Sequence, residues 1–147
     1  QMNERSIQVS KTSELGESIV ATGFPSQKRH KNPNIHFYHQ ITMKTHGIRR
    51  AGSAALDLAY VACGRFDGYW EFNLNSWDTA AGVLLVQEAG GLVTDFWGGP
   101  FDIASREVLA GNPAIHPALM REMQNVMEGK GIEALPSATE YGRTRSF

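Results

Sequence analysis

The segment Asn75 to Gly91, NSWDTAAGVLLVQEAGG, places an aspartate at the point where a turn becomes an apolar helix. A carboxylate at such a point commonly caps the helix, because it accepts a hydrogen bond from an N–H group two or three residues further on. Composition alone does not separate this capping role of Asp78 from a chemical one. Glu71 lies seven residues earlier, at the end of a predicted strand, where a solvated carboxylate is the simplest interpretation.

Two further groups of polar residues are weaker candidates. His36 and His39 are three residues apart on a predicted helix, which suits two metal ligands, but the sequence offers no third ligand and favours packing or solvent exposure. The loop KRHK, residues 28 to 31, is basic, yet a charged run of this length usually forms a solvated surface. With 14 basic and 15 acidic residues, the chain has a net charge of -1 and lacks the long-range positive electrostatic field that attracts nucleic acid. We therefore expect no nucleic-acid partner.

Length and composition indicate one globular domain. The 147 residues suffice for one substantial core, and 41% hydrophobic with 20% charged residues is an ordinary balance. No apolar stretch approaches the roughly 18 residues that span a bilayer, and QMNERSIQVS lacks the order of a signal peptide, so we predict no membrane partner. The single cysteine, Cys63, is predicted to be a buried small hydrophobe and fits a cytoplasmic location. Because the chain begins with Gln and enters a strand-like pattern at once, we expect its true start to lie upstream.

The elements that would position these residues alternate between strands and helices, which favours a layered α/β domain. Hydrophobic periodicity and turn residues predict domain 1–128 followed by an irregular tail, 129–147. The helix within 52–64 is expected to be buried on most faces, and Leu84, Leu85 and Val86 are expected in the core, with Trp77 packed against its turn. Predicted strands span residues 6–9, 18–24, 47–51, 65–72, 92–96 and 107–110, and predicted helices span 34–45, 52–64, 76–91 and 113–128.

The stretch WDTAAGVLLVQEAGG resembles the second signature of the inositol monophosphatase family, which has Trp-Asp, small residues, an apolar run and then Glu-Ala-Gly-Gly. The stretches HGIRRAGSAALDLAYVACG and GGPFD, residues 98 to 102, are similar to two further segments of that family. The resemblance covers roughly Ser6 to Glu128 and corresponds to the second half of a family member. It implies a mixed sheet layered with helices, like the C-terminal part of the inositol monophosphatase and fructose-1,6-bisphosphatase-like sugar phosphatases.

The resemblance also implies site residues. Asp78 becomes a magnesium ligand close to the substrate hydroxyl that bears the phosphate, and so a catalytic and substrate-binding residue. Gly52, Ser53 and Ala54, at a helix start, become pocket residues, and Glu71 becomes an acceptor for substrate hydroxyls. Elementary chemistry agrees, because magnesium prefers carboxylate oxygens, helix N-termini have unpaired N–H groups, and polyol hydroxyls donate to carboxylates. An ordinary cap at Ser53 and a solvated Glu71 stay open as alternatives.

Three further positions have structural interpretations. Asp67 matches a family aspartate and is expected to have a structural role near the same strand. Arg49, in the GIR match, either forms a structural ion pair or lies near the pocket, and the sequence leaves both open. Gly90 and Gly91 are expected to end the helix after Asp78, one of them at positive φ.

The first half of the family pattern is absent from this sequence. No D-x-x-D-G-T arrangement occurs, and the family's first half supplies most metal ligands and the residues that activate water. In the family, one metal ion produces hydroxide and another stabilises the leaving alkoxide. We therefore predict part of a magnesium-dependent phosphomonoesterase for inositol monophosphate or a similar small polyol or sugar phosphate, inactive as an isolated fragment. The alternative is a non-catalytic half-domain retained for dimerisation or regulation; the expected partners are a second copy, as a homodimer, and the missing N-terminal half.

Overall fold

The computed structural model describes residues 1–24, 32–135 and 137–139. They form one five-stranded sheet with a pair of helices on each face. None of the described helices has the length and apolar character needed to cross a membrane. In chain order the elements are a 3-10 helix Leu15–Glu17, β1 Ile19–Thr22, α1 Asn34–Thr42, β2 Gly47–Arg49, α2 Ala54–Ala62, β3 Gly68–Phe72, α3 Ser76–Glu88, β4 Leu92–Thr94, β5 Glu107–Gly111 and α4 Ile115–Met127.

The sheet is mixed and confirms the predicted α/β class. Its strand order is β2-β1-β3-β5-β4. Strand β1 runs parallel to both β2 and β3, while β5 is antiparallel to β3 and β4. Because β1, β2 and β3 point the same way, their carboxyl ends meet at one edge of the sheet, where α2 and α3 begin.

Each central strand is apolar on both faces because helices cover the sheet on both sides. Ala21 of β1 and Tyr69 of β3 pack with α2 and α3. Their chain neighbours Val20 and Trp70 point the opposite way and pack with α1 and α4. The two layers of core therefore pack against both faces of β1 and β3, beneath the edge where the helices start.

Several predicted boundaries differ from the structure. Residues 6–9 are not a strand, because Val9 donates its N–H to the carbonyl of Ala89 at the end of α3 instead of joining a ladder. Strand β3 starts at Gly68 because the N–H groups of Arg65 and Phe66 close the end of α2. The residues that precede α4 include Pro113, but the first N–H groups of that helix are capped by Asn112.

The helices α2 and α3 are covered on one face only, contrary to the sequence-based expectation. The buried stripe of α3 consists of Thr79, Gly82, Val83 and Val86. Leu84 is 58% exposed, Leu85 39% and Trp77 78%, so the assignment of both leucines to the core and of Trp77 to turn packing was wrong. The physical reason is that α3 is apolar around most of its circumference, whereas the described residues provide neighbours for one side only. Val86 lies in the core as predicted.

Small residues bring α2 and α3 close together. A Cβ atom added at Gly82 would lie 2.6 Å from the Cβ of Leu58, which is shorter than real Cβ contacts, so glycine is required there. Gly90 has a φ of 84° and ends α3 together with Gly91, whose N–H donates to the carbonyl of Val86 at 2.8 Å. The expected helix end is thereby confirmed.

Residues 130–135 of the tail are irregular, and Glu133 lies against α1. Gln40 donates to the carbonyl of Glu133 at 2.8 Å and accepts from its N–H at 3.0 Å. Residues 136 and 140–147 of the predicted tail, and residues 25–31 of the predicted basic loop, lie outside the described residues. The domain boundary at residue 128 stays a prediction.

Candidate active site

An open pocket of about 460 Å³ lies at the edge where the three parallel strands end and α2 and α3 begin. All five residues that the resemblance singled out line it, although they come from three separate stretches of sequence. The lining residues are Gly23, Phe24, Arg50, Gly52, Ser53, Ala54, Ala55, Glu71, Phe72, Asn73, Leu74, Trp77 and Asp78.

Asp78 has a structural task in this pocket as well as a candidate chemical one. It is the third residue of α3, and Asn75 holds the N-cap position. The Oδ2 atom of Asp78 accepts hydrogen bonds from the backbone N–H of Asn75 at 2.9 Å and from its side-chain amide at 3.3 Å. These bonds form a capping arrangement that fixes the carboxylate. From the described residues Oδ1 receives no hydrogen bond, so the second oxygen is available to a ligand.

Glu71 stands at the carboxyl end of β3 and is half-buried. The hydroxyl of Tyr69 donates to its Oε2 atom. Burial raises the pKa of Glu71, and the negative charge of Asp78 adds to the increase, while the bond from Tyr69 and the charge of Arg50 oppose it. Burial and the neighbouring Glu71 also raise the pKa of Tyr69, so its hydroxyl stays protonated as the donor. One oxygen of Glu71 is thus oriented from within the protein, and the other is open to the pocket.

Gly23 makes room for Glu71. A Cβ atom built at Gly23 would lie 2.1 Å from the carboxylate atoms of Glu71, so any side chain there would displace the carboxylate. The sequence analysis assigned no role to Gly23. A glycine followed by an apolar residue at the end of a parallel strand was the available signal, since such positions permit close approach.

The start of α2 presents backbone donors to the same pocket. Gly52 has a φ of 92°, a left-handed conformation that favours glycine, and this turn leads into Ser53 at the N-cap. The carbonyl of Ser53 accepts from the N–H of Asp57 at 2.9 Å, but its hydroxyl forms no capping bond. The first N–H groups of a helix lack partners within the helix, and Ala54 and Ala55 carry two of them here. This end of α2 is a ready site for a hydroxyl or an anion.

Arg50, not Arg49, is the arginine of the pocket. Arg50 lies 5.2 Å from the ring centre of Phe24 and donates to the carbonyl of that residue at 3.4 Å. Arg49 is exposed, donates to the carbonyl of Ile48, and forms no salt bridge with the residues that the structure describes. Among the described residues, Arg49 therefore fits neither sequence-based alternative, an ion pair or a place near the pocket. Successive side chains at a strand end point to opposite sides, so Arg50 and not Arg49 lines the pocket.

Asp57 lies close enough to Glu71 to interact with its charge, which the sequence did not predict. It is fully buried in α2, and neither of its carboxylate oxygens has a hydrogen-bond partner among residues 1–24, 32–135 and 137–139. Burial, with a smaller contribution from the charge of Glu71, raises the pKa of Asp57 from 3.8 to about 6. The sequence analysis passed over it because it stands in the apolar run LDLA.

The remaining residues that the sequence analysis singled out do not line the pocket. Asp67 accepts the N–H of Ile19 at 2.7 Å and joins the starts of β1 and β3, which is the structural role expected for it. Cys63 is half-buried rather than buried. His36 and His39 line a different, apolar pocket between α1 and α4, away from the carboxylates. The chain turns at Asp95–Gly99, where the N–H groups of Trp97 and Gly99 donate to Asp95, and Pro100 then bridges back to Thr94.

Residues 1–128 match the model of the inositol monophosphatase family. This chain belongs to the inositol monophosphatase family. It is 44% identical over 123 residues to an inositol-1-monophosphatase of Synechocystis sp., covering 83% of this chain and 43% of the relative. It is 44% identical over 126 residues to the Nus factor SuhB of Pseudomonas aeruginosa, covering 84% of this chain and 46% of the relative. The solved inositol monophosphatase from Anabaena (Nostoc) sp. PCC 7120 superimposes with a TM-score of 0.80 and 49% identity, over 84% of this chain and 49% of that one.

The chain therefore spans about half the length of the family members it matches. This partial coverage matters for metal binding. The inositol monophosphatase family generally uses magnesium. Asp78 offers one free carboxylate oxygen of the kind magnesium prefers. Among the described residues, however, no three His, Cys, Asp or Glu side chains are grouped to hold a metal ion. One fixed carboxylate fits as a single ligand, and the described residues alone do not form a complete metal centre.

Proposed function

We propose that this chain supplies the polyol-binding wall and one metal ligand of a magnesium-dependent phosphomonoesterase acting on inositol monophosphate or a similar small polyol or sugar phosphate. The observation that supports this most is the convergence of Asp78, Glu71 and the start of α2 on one pocket. The names of the Synechocystis and Anabaena relatives support the substrate class. The remaining ligands and the water-activating groups would come from the half of the family fold that this chain does not span.

In this proposal each residue has a distinct task. Glu71, held by Tyr69, accepts hydrogen bonds from substrate hydroxyls, and the N–H groups of Ala54 and Ala55 donate to a hydroxyl or an ester oxygen. Arg50 adds positive charge at the rim. Asp78, fixed through Oδ2, would offer Oδ1 to magnesium as one ligand. Magnesium would supply activation of water and stabilisation of the leaving alkoxide when all its ligands are present.

Glu71→Gln tests the polyol-binding role. We define the complemented protein as this chain together with the part of the Anabaena relative that it does not match, joined or co-expressed. Loss of a hydrogen bond to a charged group costs roughly 1.5–3 kcal/mol, so the KM for inositol 1-phosphate should rise roughly 10- to 100-fold, with a smaller change in kcat. Steady-state release of inorganic phosphate measures both constants. Glu88→Gln, at an exposed position on α3, is the control, and an unchanged KM for Glu71→Gln would refute the role.

Gly23→Ala tests whether the carboxylate of Glu71 must occupy its observed position. The added methyl group displaces the carboxylate of Glu71, so stability should fall by about 1–3 kcal/mol while the KM rises roughly tenfold or more. Gly16→Ala is the control, because a Cβ there meets no atom within 4 Å. Equal KM values for Gly23→Ala and the unmodified protein would show that Glu71 need not occupy its observed position.

The competing function is a non-catalytic module used for regulation or dimerisation. Two observations favour it: the described residues lack a grouped metal site, and some relatives are named as Nus factors. A cytoplasmic location and a homodimer are further parts of our proposal that the resemblance implies. A complemented protein that folds and assembles but releases no phosphate from inositol 1-phosphate would favour the module.

A further inference from the structure

Asn73 has a left-handed backbone at the rim of the candidate site. It directly follows β3 and lines the pocket together with Glu71 and Asp78. Its φ is 61°, in a region that residues with a side chain seldom adopt. Asparagine tolerates this region better than most residues do, but glycine tolerates it best. The backbone conformation and the presence of a side chain there therefore need separate explanations.

The backbone conformation is explained by a change of sheet face. Phe72 packs in the core layer beneath α1 and α4, with its ring centre 5.1 Å from that of Phe37 and 4.6 Å from that of Phe96. Leu74, two residues later, is buried in the other layer, beneath α2 and α3. Residues two apart on a regular strand point to the same face, so the left-handed residue between them redirects the chain. Glycine would do this at a lower conformational cost, so the turn alone does not account for Asn73.

The side chain of Asn73 is fixed at its base and available at its tip. The backbone around it is held by Phe72 on one face and by Leu74 on the other, and the N–H of Leu74 donates to the carbonyl of Arg106 at 3.0 Å. The neighbouring Asn75 uses its side-chain amide at the start of α3. The carboxamide of Asn73 is exposed and has no hydrogen-bond partner among residues 1–24, 32–135 and 137–139. It is therefore available to a ligand in the pocket.

Asn73 and Glu71 complement each other chemically. The open carboxylate oxygen of Glu71 accepts hydrogen bonds, whereas a carboxamide both donates and accepts them. A hydroxyl also does both, so two adjacent hydroxyls can give a hydrogen to one side chain while accepting from the other. We propose that the carboxamide of Asn73 binds a substrate hydroxyl next to the one bound by Glu71, so that the site selects phosphate esters of polyols with two adjacent hydroxyls. The inference rests on the proposed function, for which it names the substrate class.

Asn73→Gly removes the carboxamide and keeps a residue that suits the left-handed backbone. In the complemented protein the KM for inositol 1-phosphate should rise roughly three- to tenfold, the effect of one lost hydrogen bond, with kcat within about twofold. Cyclohexyl phosphate has a six-membered ring without free hydroxyls, and its inhibition constant as a competing ligand should not change. This difference between the two esters separates a hydroxyl contact from a general disturbance of the pocket, which would weaken the binding of both.

Asn3→Gly is the matched control. Asn3 is also exposed and has a left-handed backbone, with a φ of 50°, but it lies outside the candidate site. Its replacement should leave the KM for inositol 1-phosphate unchanged. Thermal unfolding of both glycine variants should match that of the unmodified protein, because glycine adopts this conformation readily.

Binding is also measured without catalysis, by nuclear magnetic resonance of the isotope-labelled chain alone. Inositol 1-phosphate should shift the side-chain amide signals of Asn73, which are identified by their loss in Asn73→Gly, and cyclohexyl phosphate should not. If the complemented protein released no phosphate while these signals shifted, the proposed function would fail and the hydroxyl contact would stand. The inference is overturned by an unchanged KM in Asn73→Gly, or by an equal loss of affinity for both esters. Unshifted Asn73 signals together with an inactive complemented protein would remove the inference and the proposed function alike.

Discussion

Replacement of Asp78 by asparagine is expected to lower phosphate release from inositol 1-phosphate by at least about a hundredfold in the complemented protein, a loss of about 2.7 kcal/mol of transition-state stabilisation. The reason is that magnesium binds an ionised carboxylate far better than a neutral amide. Asparagine keeps an oxygen that accepts the N–H of Asn75, so the start of α3 should remain capped. Activity is measured over a range of magnesium concentrations, and thermal unfolding is measured in parallel.

Asp102→Asn is the matched control for that substitution. Asp102 is exposed and also accepts a backbone N–H, from Ala104 at 2.9 Å, but it lies outside the pocket. Activity within about twofold of the unmodified protein is expected, as for a surface change of small energetic effect. If Asp78→Asn retains similar activity, Asp78 is a helix cap and not a metal ligand.

Asp57→Asn is expected to stabilise the isolated chain above pH 6. The folded-state pKa of Asp57, about 6, exceeds the ordinary value of 3.8, so the folded protein holds a proton that the unfolded chain has released. The contribution of Asp57 to the free energy of unfolding therefore falls as pH rises from about 4 to about 6 and is constant above that range. The total loss is on the order of 3 kcal/mol, which is the cost of the buried charge. Below pH 4 the side chain is neutral in both states and contributes no such cost.

Asparagine removes this charge but leaves a buried amide, so the net gain should be about 1–2 kcal/mol at pH 8 and near zero at pH 4. Urea unfolding at both pH values measures it. Glu88→Gln, at an exposed site, should change stability by less than about 0.5 kcal/mol at either pH. Lower stability of Asp57→Asn at pH 8 would show that the ionised carboxylate has a favourable partner.

The features that were predictable from sequence depend on local pattern. The alternation of strands and helices indicated an α/β fold, whereas the residues that meet in the pocket were indicated by the resemblance of the Trp-Asp and Gly-Ser-Ala segments to the inositol monophosphatase family. The terminal glycines Gly90 and Gly91 also indicated the end of α3. These signals are local because turns, caps and helix contacts depend on a few neighbouring side chains.

What sequence could not predict depends on tertiary surroundings. An apolar pattern does not tell which neighbour covers a side chain, so Leu84 and Leu85 were assigned to the core, although they are exposed here. The choice between Arg49 and Arg50 depends on where β2 ends, which patterns give only to within a few residues. The clearance that Gly23 gives Glu71 joins positions 48 residues apart, and a glycine at a strand end indicates a close approach without showing which residue approaches.

The most direct test of our account is phosphate release from inositol 1-phosphate with magnesium, measured for the chain alone and for the complemented protein. The account predicts no activity above background for the chain alone, because its described residues provide one candidate metal ligand, and clear magnesium-dependent activity once the other half is present. Full activity of the chain alone, or no activity from a correctly assembled complemented protein, would contradict it.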